Sequence, residues 1–211
     1  MKGLFLDLDG TLADSLALLR GVYDEFLRQF GCTGSAAEFQ DLIGPPIPVV
    51  VARLQEAHRL PGAAEELVAR YHALIAKVHG AAPPAEGARE VLERAQERSW
   101  TVAVVTSATR AEASAWLARA GLAPFVATII GGDEVSRGKP DPEPYRLALE
   151  RTGCDAPSSL AIEDSTAGAH AAMAAGLPTW LLHGPEPRKG DAAPALLRGC
   201  LPDLRAALTL L

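Results

Sequence analysis

The stretch Phe5-Leu6-Asp7-Leu8-Asp9-Gly10-Thr11-Leu12 is the strongest indication of how this chain folds. The residues from Gly3 to Leu6 predict a buried strand, and two carboxylates follow that strand two positions apart. Because side chains alternate along a strand, Asp7 and Asp9 leave it facing the same way, and Gly10 allows a sharp turn. The alternative is that both acids only form a turn after a core strand, but a turn has little use for two acids on one face.

The position of these acids has a chemical consequence. Open α/β sheets bind their ligands at the carboxyl ends of parallel strands, which is where Asp7 and Asp9 are expected to lie. Charge in such a place is costly unless a positive group, such as a metal ion, arrives to balance it.

The bulk composition excludes several classes of protein. The chain has 211 residues, of which 48% are hydrophobic and 22% are charged, as in an ordinary soluble globular protein. A net charge of -6 without a basic face predicts no nucleic-acid partner. No segment has the length and apolarity of a membrane span or of a signal peptide, and we expect no membrane partner. Cys32, Cys154 and Cys200 show no metal-ligand spacing, so we expect reduced thiols in a cytoplasmic protein.

The segment that follows the first motif predicts only helices. Apolar residues recur at steps of three and four, and Ser35 with Glu38 predicts a capping box. We expect helices at Leu16–Phe30, from Ser35 to near Gly44, at Val50–Leu60 and at Ala63–Val78. No strand alternation occurs between Ser15 and Gly80, which indicates an all-helical insert.

After Ala81, strands alternate with helices. Strands are expected at Thr101–Thr106, Val126–Ile130, Leu160–Ile162 and Pro178–Leu182; helices are expected at Gly87–Arg98, Glu112–Ala120, Pro142–Thr152 and Thr166–Ala175, with a last one after Pro202. This alternation predicts an α/β fold with a doubly wound (Rossmann-like) parallel sheet. We expect a core of residues 1–14 and 81–211 and a helical cap of residues 15–80, with a mobile loop from Gly184 to Pro194.

Polar residues also occur where other strands end. Thr106 and Ser107 follow the second strand, where they could cap a helix, cradle a phosphate oxygen, or do both. Lys139 lies in a loop shaped by Gly138, Pro140 and Pro142; a lone Lys is usually a surface charge, but beside acids it would balance charge and grip a phosphate.

The last polar cluster is Glu163-Asp164-Ser165, at the end of the strand that begins at Leu160. Asp164 or Ser165 could act only as a helix N-cap. Together with the first motif, however, these acids would complete an oxygen-ligand site of the kind that Mg²⁺ prefers.

These four motifs, in this order and at these strand ends, resemble the haloacid dehalogenase superfamily of phosphotransferases, including the helical cap inserted after the first motif. The resemblance implies that Asp7 is the nucleophile and Asp9 the general acid and base. It further implies that Thr106, Ser107 and Lys139 bind the substrate phosphate. Mg²⁺ would be held by Asp7, the main-chain carbonyl of Asp9, and Asp164; Glu163 would act through water, and Thr11 would support the site.

The expected activity is a Mg²⁺-dependent phosphatase that hydrolyses small phosphorylated metabolites through an aspartyl-phosphate. One alternative is a sugar-phosphate mutase of the same superfamily, although Leu19 and Ile47 stand where such mutases carry His and Arg. Two others are a phospho-acceptor signalling module of the receiver type, which lacks the helical insert, and a catalytically silent binding protein. We expect a monomer or weak homodimer.

The cap would act as a lid over the site, and its proline loop is one candidate contact for the leaving group. Arg20 and Arg53 are further candidates, although a solvated helix face explains both arginines as well. The five histidines have no sequence spacing that would pair them at one site, and they are expected to be surface or packing residues; they are His58, His72, His79, His170 and His183.

Overall fold

A computed structural model describes residues 1–183 and 196–211 of the chain. The expected mobile loop from Gly184 to Pro194 lies outside the described residues.

Six parallel strands in the described part of the chain form one sheet. They are β1 (Gly3–Leu6), β2 (Thr101–Val105), β3 (Thr128–Ile130), β4 (Leu160–Glu163), β5 (Thr179–Leu182) and β6 (Leu197–Leu201). Their order in the sheet is β3-β2-β1-β4-β5-β6, and every neighbouring pair is parallel. The predicted doubly wound α/β fold is therefore confirmed.

Strand order fixes where a ligand can bind. The chain moves outward from β1 to β2 and β3, and then returns to place β4 on the opposite side of β1. Leu6 is in register with Val104 on one side and with Ile162 on the other. The residues directly after β1 and β4 thus meet at the point where the strand order reverses, which is the usual ligand crevice of open α/β sheets.

The segment predicted as the insert, residues 15–80, contains four α-helices. They are α1 (Leu16–Arg28), α2 (Ala36–Asp41), α3 (Ile47–His58) and α4 (Ala64–Val78). The prediction started α3 too late because it treated the prolines as breakers. Pro48 instead occupies the first turn of α3, where its missing N–H costs nothing.

The helices of the insert have their own hydrophobic core. Tyr23, Phe26, Leu27 and Leu54 are fully buried within it, separate from the clusters on the two faces of the sheet. These separate cores support a cap formed by residues 15–80, and the boundaries themselves stay a prediction.

The remaining helices cover the sheet. They are α5 (Ala88–Glu97), α6 (Arg110–Arg119), α7 (Glu143–Thr152) and α8 (Thr166–Ala174); the expected final helix is a 3-10 helix at Leu204–Thr209.

The edge strand β6 was not predicted. Its sequence, Leu197-Arg-Gly-Cys-Leu201, lacks a continuous apolar run, and its pairing with β5 shifts register between Thr179 and Trp180. Gly199 lies against the Trp180 ring, where an added Cβ would come within 2.8 Å of a ring carbon. This glycine weakens the local strand signal while it allows the close approach.

The predicted capping box at α2 is half formed. Ser35 Oγ accepts a hydrogen bond from the Glu38 backbone N–H at 3.0 Å, but the Ser35 N–H donates to the Tyr23 hydroxyl at 2.9 Å. The Glu38 carboxylate is used by the Tyr23 hydroxyl and by His58 Nε2, the latter at 2.9 Å. His58, expected to be a surface or packing residue, therefore packs against α2 through the Glu38 carboxylate.

Candidate active site

Acids from β1 and β4 meet at the edge of the sheet. The carboxylate oxygens of Asp7, Glu163 and Asp164 lie within 4.8 Å of one another. Two oxygens on opposite sides of an octahedral Mg²⁺ are about 4.2 Å apart when each bond is near 2.1 Å. The cluster therefore has nearly the dimensions of a magnesium site. Asp9 contributes no side-chain oxygen to it, and in the predicted ligand set Asp9 acts through its main-chain carbonyl.

Lys139 is buried inside this cluster and is only 3% exposed. Its Nζ lies 2.5 Å from Asp7 Oδ1, 2.5 Å from Glu163 Oε1 and 2.9 Å from the Val105 carbonyl oxygen. Burial lowers the pKa of this ammonium, but the two carboxylates outweigh burial and hold the pKa above its ordinary value. Lys139 therefore stays charged, with three oxygen acceptors for its three N–H groups.

Tyr145 belongs to the site, although no sequence motif pointed to it. Tyr145 lies in the first turn of α7, and its hydroxyl donates to Glu163 Oε1 at 2.5 Å. Its ring lies 5.6 Å from Lys139 Nζ. Glu163 is completely buried, and its Oε2 accepts a 3.3 Å hydrogen bond from Ser165 Oγ. Tyr145 and Lys139 thus hold Glu163 in place. The sequence feature that could have identified Tyr145 is its hydroxyl on the buried face of α7, the helix that follows the loop containing Lys139.

Asp164 is positioned by its contact with Gly10 and by the next residue, Ser165, which forms the N-cap of α8. Ser165 Oγ, not Asp164, accepts the Gly168 N–H and caps α8. Asp164 Oδ2 lies against Gly10, where a Cβ would come within 2.1 Å of it and where the backbone φ is +81°. This oxygen is buried and has no hydrogen-bond partner within residues 1–183 and 196–211.

The electrostatics of the cluster favour a cation. Burial raises the pKa of Asp7 to about 7, against the lowering effect of Lys139 and with a further increase from Glu163. Burial also raises the pKa of Asp164 well above its usual range, and the charges of Asp7 and Glu163 add to this effect. Three acids thus share one lysine, and a divalent cation would remove the repulsion. With the unpartnered Asp164 oxygen, these residues fit a hard divalent metal ion.

The hydroxyl residues after β2 have different partners. Thr106 Oγ1 accepts from the Ala108 N–H at 3.1 Å, whereas Ser107 Oγ donates to the Gly44 carbonyl of the cap at 2.8 Å. Neither residue caps α6, because Thr109 does so in a capping box with Glu112. Ser107 therefore joins the core to the cap loop in this structure.

Thr11 is fully buried, and its hydroxyl has no hydrogen-bond partner in the described part of the chain.

A cavity of about 120 Å³ lies between the acid cluster of the core and the helices of the cap. Asp7, Asp9, Thr106, Ser107 and Asp164 line its core side. Its volume is below the roughly 300–1,000 Å³ of sites for drug-sized ligands, so the cavity suits a small molecule.

Two residues of the cap loop lie directly on the motifs of the core. A Cβ on Gly44 would come within 2.6 Å of Ser165 Oγ, and one on Gly138 would come within 2.4 Å of Pro46.

Arg20 and Arg53, the two arginines considered as cap contacts, do not line the cavity. Arg20 pairs with Asp24 at 2.9 Å on the surface of α1, and Arg53 donates to the Asp41 carbonyl at 3.1 Å. The solvated helix face is therefore the better explanation for both.

Comparisons with known proteins agree with this arrangement. A family model described as haloacid dehalogenase-like hydrolase matches residues 4–182. A protein named phosphoglycolate phosphatase, plasmid, from Cupriavidus necator is 32% identical, covering 90% of this chain and 82% of its own. A phosphorylated carbohydrates phosphatase from Thermotoga maritima is 30% identical, covering 84% and 82%. The crystal structure of CbbY from Rhodobacter sphaeroides shares the fold, with a TM-score of 0.79 at 22% identity over 98% and 96% of the two chains. Within the described residues, no helix is long and apolar enough to cross a membrane.

Proposed function

The chain belongs to the haloacid dehalogenase-like hydrolase family, and we propose that it is a Mg²⁺-dependent phosphatase of small phosphorylated metabolites. The observation that carries the proposal is the buried cluster of Asp7, Glu163 and Asp164 around Lys139, at the reversal point of the sheet. Relatives named as phosphatases of phosphoglycolate and of phosphorylated carbohydrates support the same reaction class.

In the proposed reaction, Asp7 attacks the phosphorus atom of the substrate and the bond to the alcohol oxygen breaks. Asp9 gives its proton to the departing alkoxide, which leaves as a neutral alcohol, and the phosphoryl group remains on Asp7. Water then attacks the phosphorus, Asp9 takes the proton of that water, and inorganic phosphate leaves. This sequence consumes one water and returns both carboxyl groups to their starting states.

The metal and the lysine supply charge compensation. Mg²⁺ would be held by Asp7, Asp164 and the main-chain carbonyl of Asp9, and when bound it would neutralise charge on the transferring phosphoryl group. Lys139 already holds Asp7 Oδ1, so it orients the nucleophile and reduces its repulsion of a phosphate dianion. Glu163 keeps Lys139 in position and would reach the metal only through water.

We propose further roles for three hydroxyl residues of the core. Thr106 and Ser107 would bind the phosphate at the start of α6, with Thr11 supporting the loop between β1 and α1. Ser107 would have to exchange its bond to Gly44 for one to the phosphate. The cap loop and the phosphate therefore compete for this hydroxyl.

A mutase is less well supported. Such an activity needs polar groups in the cap that handle the sugar, whereas Leu19 and Ile47 bring only apolar surface to the cavity. A receiver-type module and a silent binding protein fit poorly with a cap that encloses a complete set of acids.

The proposal extends to assembly and location. We propose a monomer or weak homodimer, because the large hydrophobic residues exposed within the described chain are only Met1 and Val49. A cytoplasmic location is supported by the thiols, since none of the three cysteines, all in described segments, forms a disulfide.

The test is hydrolysis of p-nitrophenyl phosphate by the purified protein with and without Mg²⁺. We expect turnover only with the metal, and we expect Asp7→Asn to reduce it by at least about 1,000-fold while the fold is kept. Asp14→Asn is the matched control, because Asp14 is exposed and does not line the cavity. Near-normal turnover by Asp7→Asn, or equal turnover in EDTA, would refute the proposal.

A further inference from the structure

The cap side of the cavity is almost entirely apolar. Its wall includes Leu19, Phe39, Ile43, Ile47, Val50 and Ile75. Phe39 and Val50 are buried parts of the cap core, whereas Leu19, Ile43, Ile47 and Ile75 are only partly covered by it. The uncovered parts of these side chains are available to a molecule held between the cap and the core.

No lysine or arginine among the described residues lines this cavity. Among the described cap residues that line it, Tyr71 is the one with a polar side chain. On the core side, Glu112 adds a further acid to Asp7, Asp9 and Asp164. The cavity wall is therefore apolar on the cap side and acidic on the core side.

Lys139 does not change this balance. Its Nζ is surrounded by Asp7, Glu163 and the Val105 carbonyl, so its three donors are already used within the cluster. The charge of Lys139 and of a divalent ion is matched by the acids and by the transferring phosphate. A second anionic group on a substrate would find no cation in the described wall and would lose its hydration without compensation.

From this distribution of charge we propose that the site selects phosphate esters of small uncharged aliphatic alcohols and discriminates against esters whose alcohol part carries a carboxylate or a second phosphate. The proposal rests on the phosphatase activity proposed above. The phosphate would lie at Asp7 and Thr106, and the alcohol part would extend toward Ile47 and Ile75. Leu19, Ile43, Ile47 and Ile75 are then residues that determine specificity.

A series of three esters with the same number of heavy atoms tests the proposal. Phosphoglycolate carries a carboxylate, hydroxyacetone phosphate replaces it with a neutral acetyl group, and isobutyl phosphate replaces it with an isopropyl group. For the native protein with Mg²⁺, we expect kcat/KM for isobutyl phosphate to exceed that for phosphoglycolate by at least about 100-fold, with the neutral ketone between them. Straight-chain alkyl phosphates should gain roughly fourfold in kcat/KM per methylene until the cavity is filled.

A pair of variants locates the selectivity in the wall. Ile75→Arg places a cation in the cavity, and we expect it to raise kcat/KM for phosphoglycolate at least tenfold while it lowers that for isobutyl phosphate. Ala73→Arg is the matched control, because Ala73 is exposed on the same helix and does not line the cavity. This control should keep the native preference.

The outcomes separate the two proposals. Turnover with equal or greater preference for phosphoglycolate in the native protein would overturn the specificity proposal alone. Absence of turnover for all three esters, in a protein that is folded by circular dichroism and supplied with Mg²⁺, would overturn the phosphatase proposal and this inference with it. A changed preference in Ala73→Arg as large as that in Ile75→Arg would show that the cavity wall does not set the specificity.

Discussion

Gly168 is the position at which the packing of the site can be tested most sharply. A Cβ at this residue would lie 2.0 Å from Glu163 Oε2, whereas carbon and oxygen atoms do not approach closer than about 3.0 Å. In Gly168→Ala the carboxylate must therefore move by about 1 Å, and it cannot turn to solvent because Glu163 is fully buried. If the carboxylate moves about 1 Å away from Tyr145 or Lys139, the 2.5 Å contact of Glu163 Oε1 with that residue is broken.

The expected cost follows from these contacts. Overpacking costs about 1–3 kcal/mol, and losing a hydrogen bond to a buried charge costs about 1.5–3 kcal/mol. Replacing a helical glycine by alanine returns about 1 kcal/mol. We expect a net loss of about 1.5–5 kcal/mol in the free energy of unfolding, and a fall in kcat/KM of roughly 100-fold because Lys139 and Asp7 are displaced with Glu163.

Gly21→Ala is the control for this substitution. Gly21 lies in α1 with no atom within 4 Å of an added Cβ, so we expect a gain of about 0.5–1 kcal/mol and unchanged activity. Chemical denaturation and steady-state kinetics of both variants make the comparison. If Gly168→Ala is as stable and as active as Gly21→Ala, Glu163 is not held as the structure shows and the reasoning is wrong.

Three further substitutions or conditions test single contacts. Tyr145→Phe leaves Glu163 Oε1 without its phenolic donor, and denaturation should show a loss of about 2 kcal/mol; a loss below 0.5 kcal/mol, on that same scale, would mean that the hydroxyl contributes nothing. Ser107→Ala removes both the bond to the Gly44 carbonyl and the proposed bond to the phosphate, and steady-state kinetics should show kcat/KM lowered at least about tenfold; an unchanged kcat/KM would contradict the proposed phosphate-binding role of Ser107. The raised pKa of Asp7, about 7 against 3.8, means that the metal-free fold binds a proton more tightly than the unfolded chain, so this group's contribution to stability falls as the pH rises from about 4 to about 7. Mg²⁺ should consequently raise Tm more at pH 8 than at pH 5 in thermal melts, and an equal increase at both pH values would contradict the proposed link between Asp7 and the metal.

The sheet was predictable because its signals are local. An apolar run before Asp7, another before Thr106 and a third before Glu163 each indicate a buried strand, and the rules for parallel sheets bring their ends together. The edge strand β6 escaped because Arg198 and Gly199 interrupt its pattern, and its place depends on pairing with β5.

Contacts between distant segments account for what the sequence did not show. Tyr145 and Glu163 are 18 residues apart, and Gly44 and Ser107 are 63 residues apart. Neither pair has a spacing that a helix or strand would bring together, so only the packing of α7 on the sheet and of the cap on the core creates them. The apolar cavity wall has the same origin. From the sequence alone, Ile47 and Ile75 could equally have been buried in the cap core without reaching the cavity.

A crystal structure with Mg²⁺ and beryllium fluoride, which mimics a phosphoryl group on a carboxylate, is the sharpest test of the proposed nucleophile and metal site. We predict beryllium bonded to a carboxylate oxygen of Asp7, with one Mg²⁺ bound by Asp7, Asp164 and the main-chain carbonyl of Asp9. Beryllium fluoride on any other residue, or no ion between Asp7 and Asp164, would contradict the account.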